Sequence, residues 1–71
     1  MEKIAMFEKA LDCALKGCKY GQFMAGIFYE FGIGVERNIT ESIVWYKKAM
    51  AQGESYSKEA LERLGYEVSV E

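Results

Sequence analysis

The chain has 71 residues, of which 51% are hydrophobic and 28% charged, and its net charge is −2 at pH 7. A chain of this length forms one small domain with a marginal core, and its apolar fraction is too high for intrinsic disorder. Its lysines are interleaved with acids, whereas a nucleic-acid footprint needs clustered basic residues. No apolar run approaches the roughly 18 residues of a membrane span, and the first ten residues lack a signal-peptide core. We therefore expect a cytoplasmic protein that binds neither nucleic acid nor membrane.

Cys13 and Cys18 are five positions apart, and the chain has no histidine. Two thiols cannot complete a tetrahedral zinc shell unless carboxylates or a second chain contribute. We expect no metal and no other cofactor. A disulfide would require the two side chains to meet across a turn. We favour two reduced thiols, with Cys13 acting as a small buried hydrophobic residue.

Glycines divide the chain into helical segments, because proline is absent and long helices are permitted everywhere. The apolar spacing predicts a first helix from about Glu2 to Lys16, with Gly17 as its terminator. A second helix is predicted from about Lys19 to Phe31. It ends at Gly32-Ile33-Gly34, where two glycines permit positive φ and a sharp reversal.

A third helix is predicted to begin at Asn38, which is a good N-cap residue. Glu41 stands three positions later and can complete a capping box. This helix should continue to about Gln52 and close at Gly53.

A short fourth helix is predicted to begin at Ser55 or Ser57, since either serine can cap it. It should run through Leu64, and Gly65 is typical of a glycine C-cap. Residues 67–71 are expected to be extended or frayed.

The most specific pattern in the chain lies between residues 21 and 53. The string Gly-x-x-Tyr-x-x-Gly-x-Gly-Val at 26–35 is followed by Trp-Tyr-x-Lys-Ala at 45–49. The positions of the pattern are Gly26, Tyr29, Gly32, Gly34, Val35, Trp45, Tyr46, Ala49 and Gly53. In order and spacing they resemble a Sel-one-like repeat, which belongs to the tetratricopeptide-like helical solenoids. The resemblance implies an all-α fold of antiparallel helix-turn-helix hairpins, with about four helices in this chain.

The same resemblance predicts the domain organisation. Residues 1–71 should form a single small helical-repeat domain with one full repeat at about 21–53 and half repeats on either side. Gly17 and Gly53 both close a helix and are one repeat length apart, which supports this division. Ser42 stands where the family usually has a small Ala. Only about one complete repeat is present, whereas solenoid units normally need about three to bury their faces.

Proteins of the resembled family usually hold or bridge other proteins, so the resemblance points to binding and away from catalysis. The residue composition also points away from catalysis, because no histidine is present and no Ser or Cys stands beside an identifiable base. Glu30 and Glu36 flank the interhelix loop, and we interpret both as solvated carboxylates. The Gly-x-Gly at 32–34 follows no strand, so an interhelix turn is the better interpretation than a phosphate loop.

The second helix is apolar nearly all round. One face carries Gly21, Ala25, Phe28, Tyr29 and Gly32, and the resembled family buries this face. A second apolar stripe carries Tyr20, Phe23, Met24, Ile27 and Phe31, and only Gln22 and Glu30 interrupt it. Either the first and fourth helices cover this second stripe, or it is exposed and binds a partner. We take its five residues as the candidate partner-binding site.

The expected partner is another protein or a second copy of the chain, and no small-molecule substrate is expected. A homodimer is favoured, because a symmetric pair would cover the second stripe with the same patch on each subunit. Two alternatives stay open. One is a small inhibitor or immunity-type protein that blocks a partner enzyme or complex, and the other is a structural self-assembling unit.

Overall fold

A computed structural model describes residues 2–66, which form four α-helices joined by short turns. The helices are α1 (Glu2–Leu15), α2 (Lys19–Phe31), α3 (Ile39–Ala51) and α4 (Ser55–Arg63). Each helix packs against the next one along the chain, and no strand occurs within 2–66. The predicted all-α class and its four helices are confirmed. The prediction for residues 67–71 lies outside the described residues.

All four helices end in the same glycine-based motif. In each, a glycine takes a positive φ and the residue after it donates its N–H to the carbonyl five positions earlier, as in a Schellman motif. The glycines are Gly17 (φ 93°), Gly32 (67°), Gly53 (90°) and Gly65 (84°). The accepting carbonyls belong to Cys13, Phe28, Ala49 and Leu61. Because residues with a side chain rarely adopt such φ values, these glycines fix where each helix stops and the chain reverses.

The N-terminus of α3 is capped as predicted. The Oδ1 atom of Asn38 accepts a hydrogen bond from the backbone N–H of Glu41 at 3.1 Å. In a capping box the side chain of Glu41 would accept from the N–H of Asn38. Here this N–H donates instead to the carbonyl of Tyr29 at 2.9 Å. This second bond ties the start of α3 to the end of α2.

The predicted serine cap of α4 is wrong, because Glu54 caps this helix. Its Oε1 atom accepts from both the N–H and the hydroxyl of Ser57 at 2.7 Å, and Oε2 accepts from the N–H of Tyr56 at 3.3 Å. The reason is the short connection. Glu54 donates its own N–H to Ala49 in the Schellman motif of α3, so it alone separates Gly53 from the first residue of α4.

The core consists of two clusters that α3 joins. Trp45 packs with Ala14 of α1 and Ala25 of α2. The adjacent Tyr46 packs with Ala60 and Leu61 of α4. Through these two consecutive aromatic residues, α3 packs against α1 and α2 on one side and against α4 on the other.

Two glycines of α2 let the neighbouring helices approach closely. A Cβ atom at Gly26 would lie 2.6 Å from the ring of Tyr46, and one at Gly21 would lie 2.7 Å from Cβ of Cys13. Side chains at these positions would force α1 and α3 away from α2. Gly21 and Gly26 therefore permit the close packing of α1 and α3 against α2.

We predict that Trp45→Ala destabilises the fold by about 3–5 kcal/mol, since only 7% of this residue is exposed. A loss of this size is comparable to the whole stability of a small domain. Urea denaturation followed by circular dichroism measures it. Val44→Ala is the control, because Val44 is 41% exposed on the same helix and should change stability by about 0.5 kcal/mol or less. Equal midpoints for the two variants would contradict the packing of Trp45.

Candidate partner-binding surface

The structure divides the second apolar stripe of α2 into covered and exposed residues. Phe23 and Ile27 are half-buried and pack against the cluster of Tyr46, Ala60 and Leu61. The other three residues of the stripe stay on the surface, with exposed fractions of 62% for Tyr20, 38% for Met24 and 58% for Phe31. The sequence left open whether other helices cover this stripe or leave it exposed. Phe23 and Ile27 are covered, by residues of α3 and α4. Tyr20, Met24 and Phe31 are exposed.

Helix α4 lies beside α2 and extends its exposed surface. The ring of Tyr56 lies 6.0 Å from that of Phe23, and the guanidinium of Arg63 lies 5.8 Å from the ring centroid of Phe31. The two contacts occur in the same order along both helices, so α2 and α4 run in the same direction. Tyr56 is 63% exposed. Sequence reasoning missed it, because Tyr56 stands between two serines and nothing local shows which helix it lies beside.

We call Tyr20, Met24, Phe31 and Tyr56 the aromatic face. All four side chains are exposed, and Phe23 and Ile27 of the same stripe are partly exposed. Other large exposed apolar residues lie on α1 and α3, and they are Ile4, Met6, Leu15 and Val44.

Glu30 lies beneath one end of the aromatic face and is buried, with 5% exposure. Its Oε1 atom accepts a hydrogen bond from the hydroxyl of Tyr46 at 2.7 Å. Its carboxylate also forms a salt bridge with Arg63, whose two terminal nitrogens reach both oxygens. One carboxylate thus joins α2, α3 and α4. The interpretation of Glu30 as a solvated carboxylate is wrong, because Arg63 and Tyr46 come from elements distant in sequence.

The electrostatics of this cluster follow from burial and from the shared carboxylate. Burial, with the hydrogen bond to Glu30 as a second cause, raises the pKa of Tyr46 well above its ordinary value of 10.0. The hydrogen bond to Glu30 also raises the pKa of Arg63. Tyr46 is therefore a neutral donor and Arg63 a permanent cation across the physiological range. The Arg63 side chain remains 53% exposed, so its charge is available at the edge of the aromatic face.

Gln22, the other polar residue of the stripe, is also buried and hydrogen-bonded. Its Nε2 atom donates to the carbonyl of Ala14 at 3.4 Å, and its Oε1 accepts from Nε2 of Gln52 at 2.8 Å. The same nitrogen of Gln52 donates to the carbonyl of Gly17 at 2.9 Å. The two amides therefore join the ends of α1 and α3 to the first turns of α2.

Residues 19–54 match the Sel1 repeat family model. The match begins at the first residue of α2 and ends at the N-cap of α4, so it covers the complete α2–α3 hairpin and half of the chain. The chain belongs to the Sel1 repeat family.

Sel1 repeats are generally non-catalytic modules for protein–protein interaction. The chain is also similar to rat DAP3-binding cell death enhancer 1, with 39% identity over 51 residues. These residues make up 72% of this chain and 10% of the relative, so the chain spans about a tenth of that protein's length. No solved structure matches the chain significantly. Within residues 2–66, no helix is long and apolar enough to cross a membrane.

Several residues of the Sel1 pattern make contacts that explain their type. Gly26 faces the ring of Tyr46, and Tyr29 packs edge-on against Phe7 at 5.2 Å. Gly32 and Gly34 both have positive φ in the α2–α3 loop. The assignment of α1 and α4 to half repeats stays a prediction.

We predict that Glu30→Ala lowers the free energy of unfolding by about 1–3 kcal/mol, the usual cost of leaving a buried donor such as the Tyr46 hydroxyl without its acceptor. The loss should be smaller than that for breaking a fully buried ion pair, because the Arg63 side chain is half-exposed. Glu36→Ala is the matched control, since Glu36 is an exposed carboxylate at the other side of the loop. Chemical denaturation of both variants measures the difference. Equal losses would show that the Glu30 cluster adds no stability.

We predict that the fold loses stability as the pH rises above about 10, the unfolded pKa of tyrosine. The folded pKa of Tyr46 is raised, so the contribution of this residue is complete below the unfolded pKa and is lost as the pH approaches the folded value. Burial raises the pKa of Tyr29 in the same direction. Tyr46→Phe should therefore flatten the alkaline decline without abolishing it. Melting temperatures between pH 8 and about 11 test this, and a decline of unchanged steepness in Tyr46→Phe would contradict it.

Proposed function

We propose that this Sel1 repeat binds another protein through its aromatic face, without catalytic activity of its own. The observation that carries the proposal is exposure, since Tyr20, Phe31 and Tyr56 are each more than half exposed. Burying a large apolar side chain contributes about 1.5–3 kcal/mol, so exposed aromatics represent a substantial unused driving force for binding. The family's general role in protein–protein interaction supports this direction.

The composition of the surface suits a protein interface. Tyrosine and arginine are enriched among the residues that contribute most to binding energy, and methionine and phenylalanine are enriched in interfaces generally. Arg63 is already held by Glu30, so little side-chain entropy would be lost when a partner contacts its exposed edge. An apolar partner surface with an acidic residue at its edge would complement this arrangement.

The rat relative is named as a DAP3-binding protein. It supports the general proposal that this chain also binds a protein. The matched region is a tenth of the relative, and we do not assign its partner to this chain. Blocking of a partner enzyme, as by an inhibitor or immunity-type protein, and structural self-assembly are alternative uses of the same face.

A second copy of the chain is the second candidate occupant. The four large apolar side chains of the aromatic face lie on two helices that run in the same direction, and a two-fold axis would pair this patch with itself. Light scattering at high micromolar concentration should then give twice the chain mass of 8.1 kDa. A monomer mass under these conditions would reject the homodimer and leave binding to a different protein as the function.

We predict that Tyr20→Glu prevents partner binding and leaves the fold intact, because the side chain is already exposed. A photo-crosslinking residue at position 20 would first identify the contacted protein, and binding would then be measured with both proteins purified. The expected loss is at least about tenfold in affinity, as for a central interface residue. Circular dichroism and the melting temperature should remain those of the unmodified chain.

Two control substitutions make this experiment decisive. Val44→Glu places the same charge on α3, at an exposed apolar residue outside the aromatic face, and should leave binding unchanged. Phe23→Glu should instead unfold the chain, because Phe23 packs against the Tyr46 and Leu61 cluster and an unpaired carboxylate is costly there. Equal affinities for Tyr20→Glu and the unmodified chain would reject the aromatic face as the binding site.

A further inference from the structure

Cys13 and Cys18 occupy a special pair of positions at the turn between α1 and α2. The N–H of Cys18 donates to the carbonyl of Cys13 at 3.2 Å, which closes the Schellman motif of α1. In this motif the side chains of these two positions commonly touch. The equivalent pair at the end of α4 is Leu61 and Tyr66, and Tyr66 packs against the cluster that contains Leu61. At the α1–α2 turn the two positions that meet both carry a thiol.

The closeness of the two thiols and of the first turn of α2 shifts their pKa values in opposite directions. A hydrogen bond between them raises the pKa of Cys13 and lowers the pKa of Cys18. The backbone N–H groups of Gly21 and Tyr20 lower the pKa of Cys18 further. Cys18 is the N-cap residue of α2, where a negative charge is favoured. Of the two thiols, Cys18 therefore has the larger thiolate fraction near neutral pH, and the thiolate is the form that attacks a disulfide.

Position and access also suit a reaction between the thiols. Both cysteines are reduced and half-buried, so small reagents can reach them. The backbone of α2 lies against Cys13, since a Cβ atom at Gly21 would be 2.7 Å from Cβ of Cys13. Lys16 and Gly17 separate α1 from Cys18, and Gly17 already has the positive φ that the reversal requires.

We propose that Cys13 and Cys18 are a redox-modification site that forms a reversible disulfide within one chain, by exchange with a small-molecule disulfide such as oxidised glutathione. The Cys18 thiolate attacks one sulfur of glutathione disulfide, and the first glutathione leaves as a thiolate. Cys13 then loses its proton to water and attacks the Cys18 sulfur of the mixed disulfide, which releases the second glutathione. Two protein thiols are oxidised, and one disulfide is reduced to two thiols.

The test is a redox titration of the folded chain in glutathione buffers of increasing oxidised fraction, followed by alkylation and intact-mass measurement. Alkylatable thiols should fall from two per chain to none, with the loss of two hydrogen atoms and no retained glutathione. Peptide mapping should locate the link between Cys13 and Cys18, and dithiothreitol should restore both thiols. Helical circular dichroism should persist in the oxidised form. Retained glutathione, disulfide-linked dimers or loss of helix on oxidation would each overturn the proposal.

Two single variants and an unfolded control test the order of reaction and the role of the fold. Cys13→Ser should trap glutathione on Cys18, because no resolving thiol remains. Cys18→Ser should react more slowly, through Cys13. In urea, the unmodified chain should need a larger oxidised fraction to form the same link, because the fold raises the effective concentration of one thiol near the other. Equal rates for the two variants, or equal titration midpoints with and without urea, would contradict the proposal.

Discussion

The carboxylate of Glu30 is the contact on which the arrangement of this small domain depends. It receives a hydrogen bond from Tyr46 of α3 and a salt bridge from Arg63 of α4, and it lies on α2. Within residues 2–66, no further helix follows α4 and packs on its outer side. Only Ser57, Ala60 and Leu61 of α4 are buried. The polar cluster therefore adds a second attachment to the apolar contacts of Ala60 and Leu61.

The same cluster determines which side chains form the surface. Arg63 can reach Glu30 only if α4 lies beside α2 in one direction and one register, and this placement covers Phe23 and Ile27. Tyr20, Met24 and Phe31 stay exposed although Arg63 lies over the ring of Phe31, and α4 adds the exposed ring of Tyr56 to them. Ion pairs of this kind are weak evidence for net stability, because desolvation offsets much of the attraction. We infer that the Glu30 cluster acts mainly by selecting one arrangement of the helices among several.

The sequence predicts local structure well and long-range pairing poorly. Helix ends at Gly17, Gly32, Gly53 and Gly65 follow from backbone conformation alone, and the Asn38 cap depends on a residue only three positions away. Glu30 could not be assigned in this way, since its partner Arg63 is 33 positions along the chain. The cap of α4 was missed because serine is the commoner cap, whereas the single-residue connection after Gly53 leaves that position to Glu54. The apolar stripe on α2 could be recognised from the sequence. Which of its residues are covered and which are exposed depends on where α4 lies.

Hydrogen exchange of the α4 amides in Glu30→Ala, compared with the unmodified chain, tests this account most directly. If Glu30 holds α4 in place, the amides of Ser55–Arg63 should lose protection by a larger factor than those of the α2–α3 hairpin, because local opening becomes easier than global unfolding. Equal loss of protection in α4 and in the hairpin would contradict the account. Unchanged protection of the α4 amides would also contradict it. Either result would mean that the apolar contacts of Ala60 and Leu61 suffice to hold the helix.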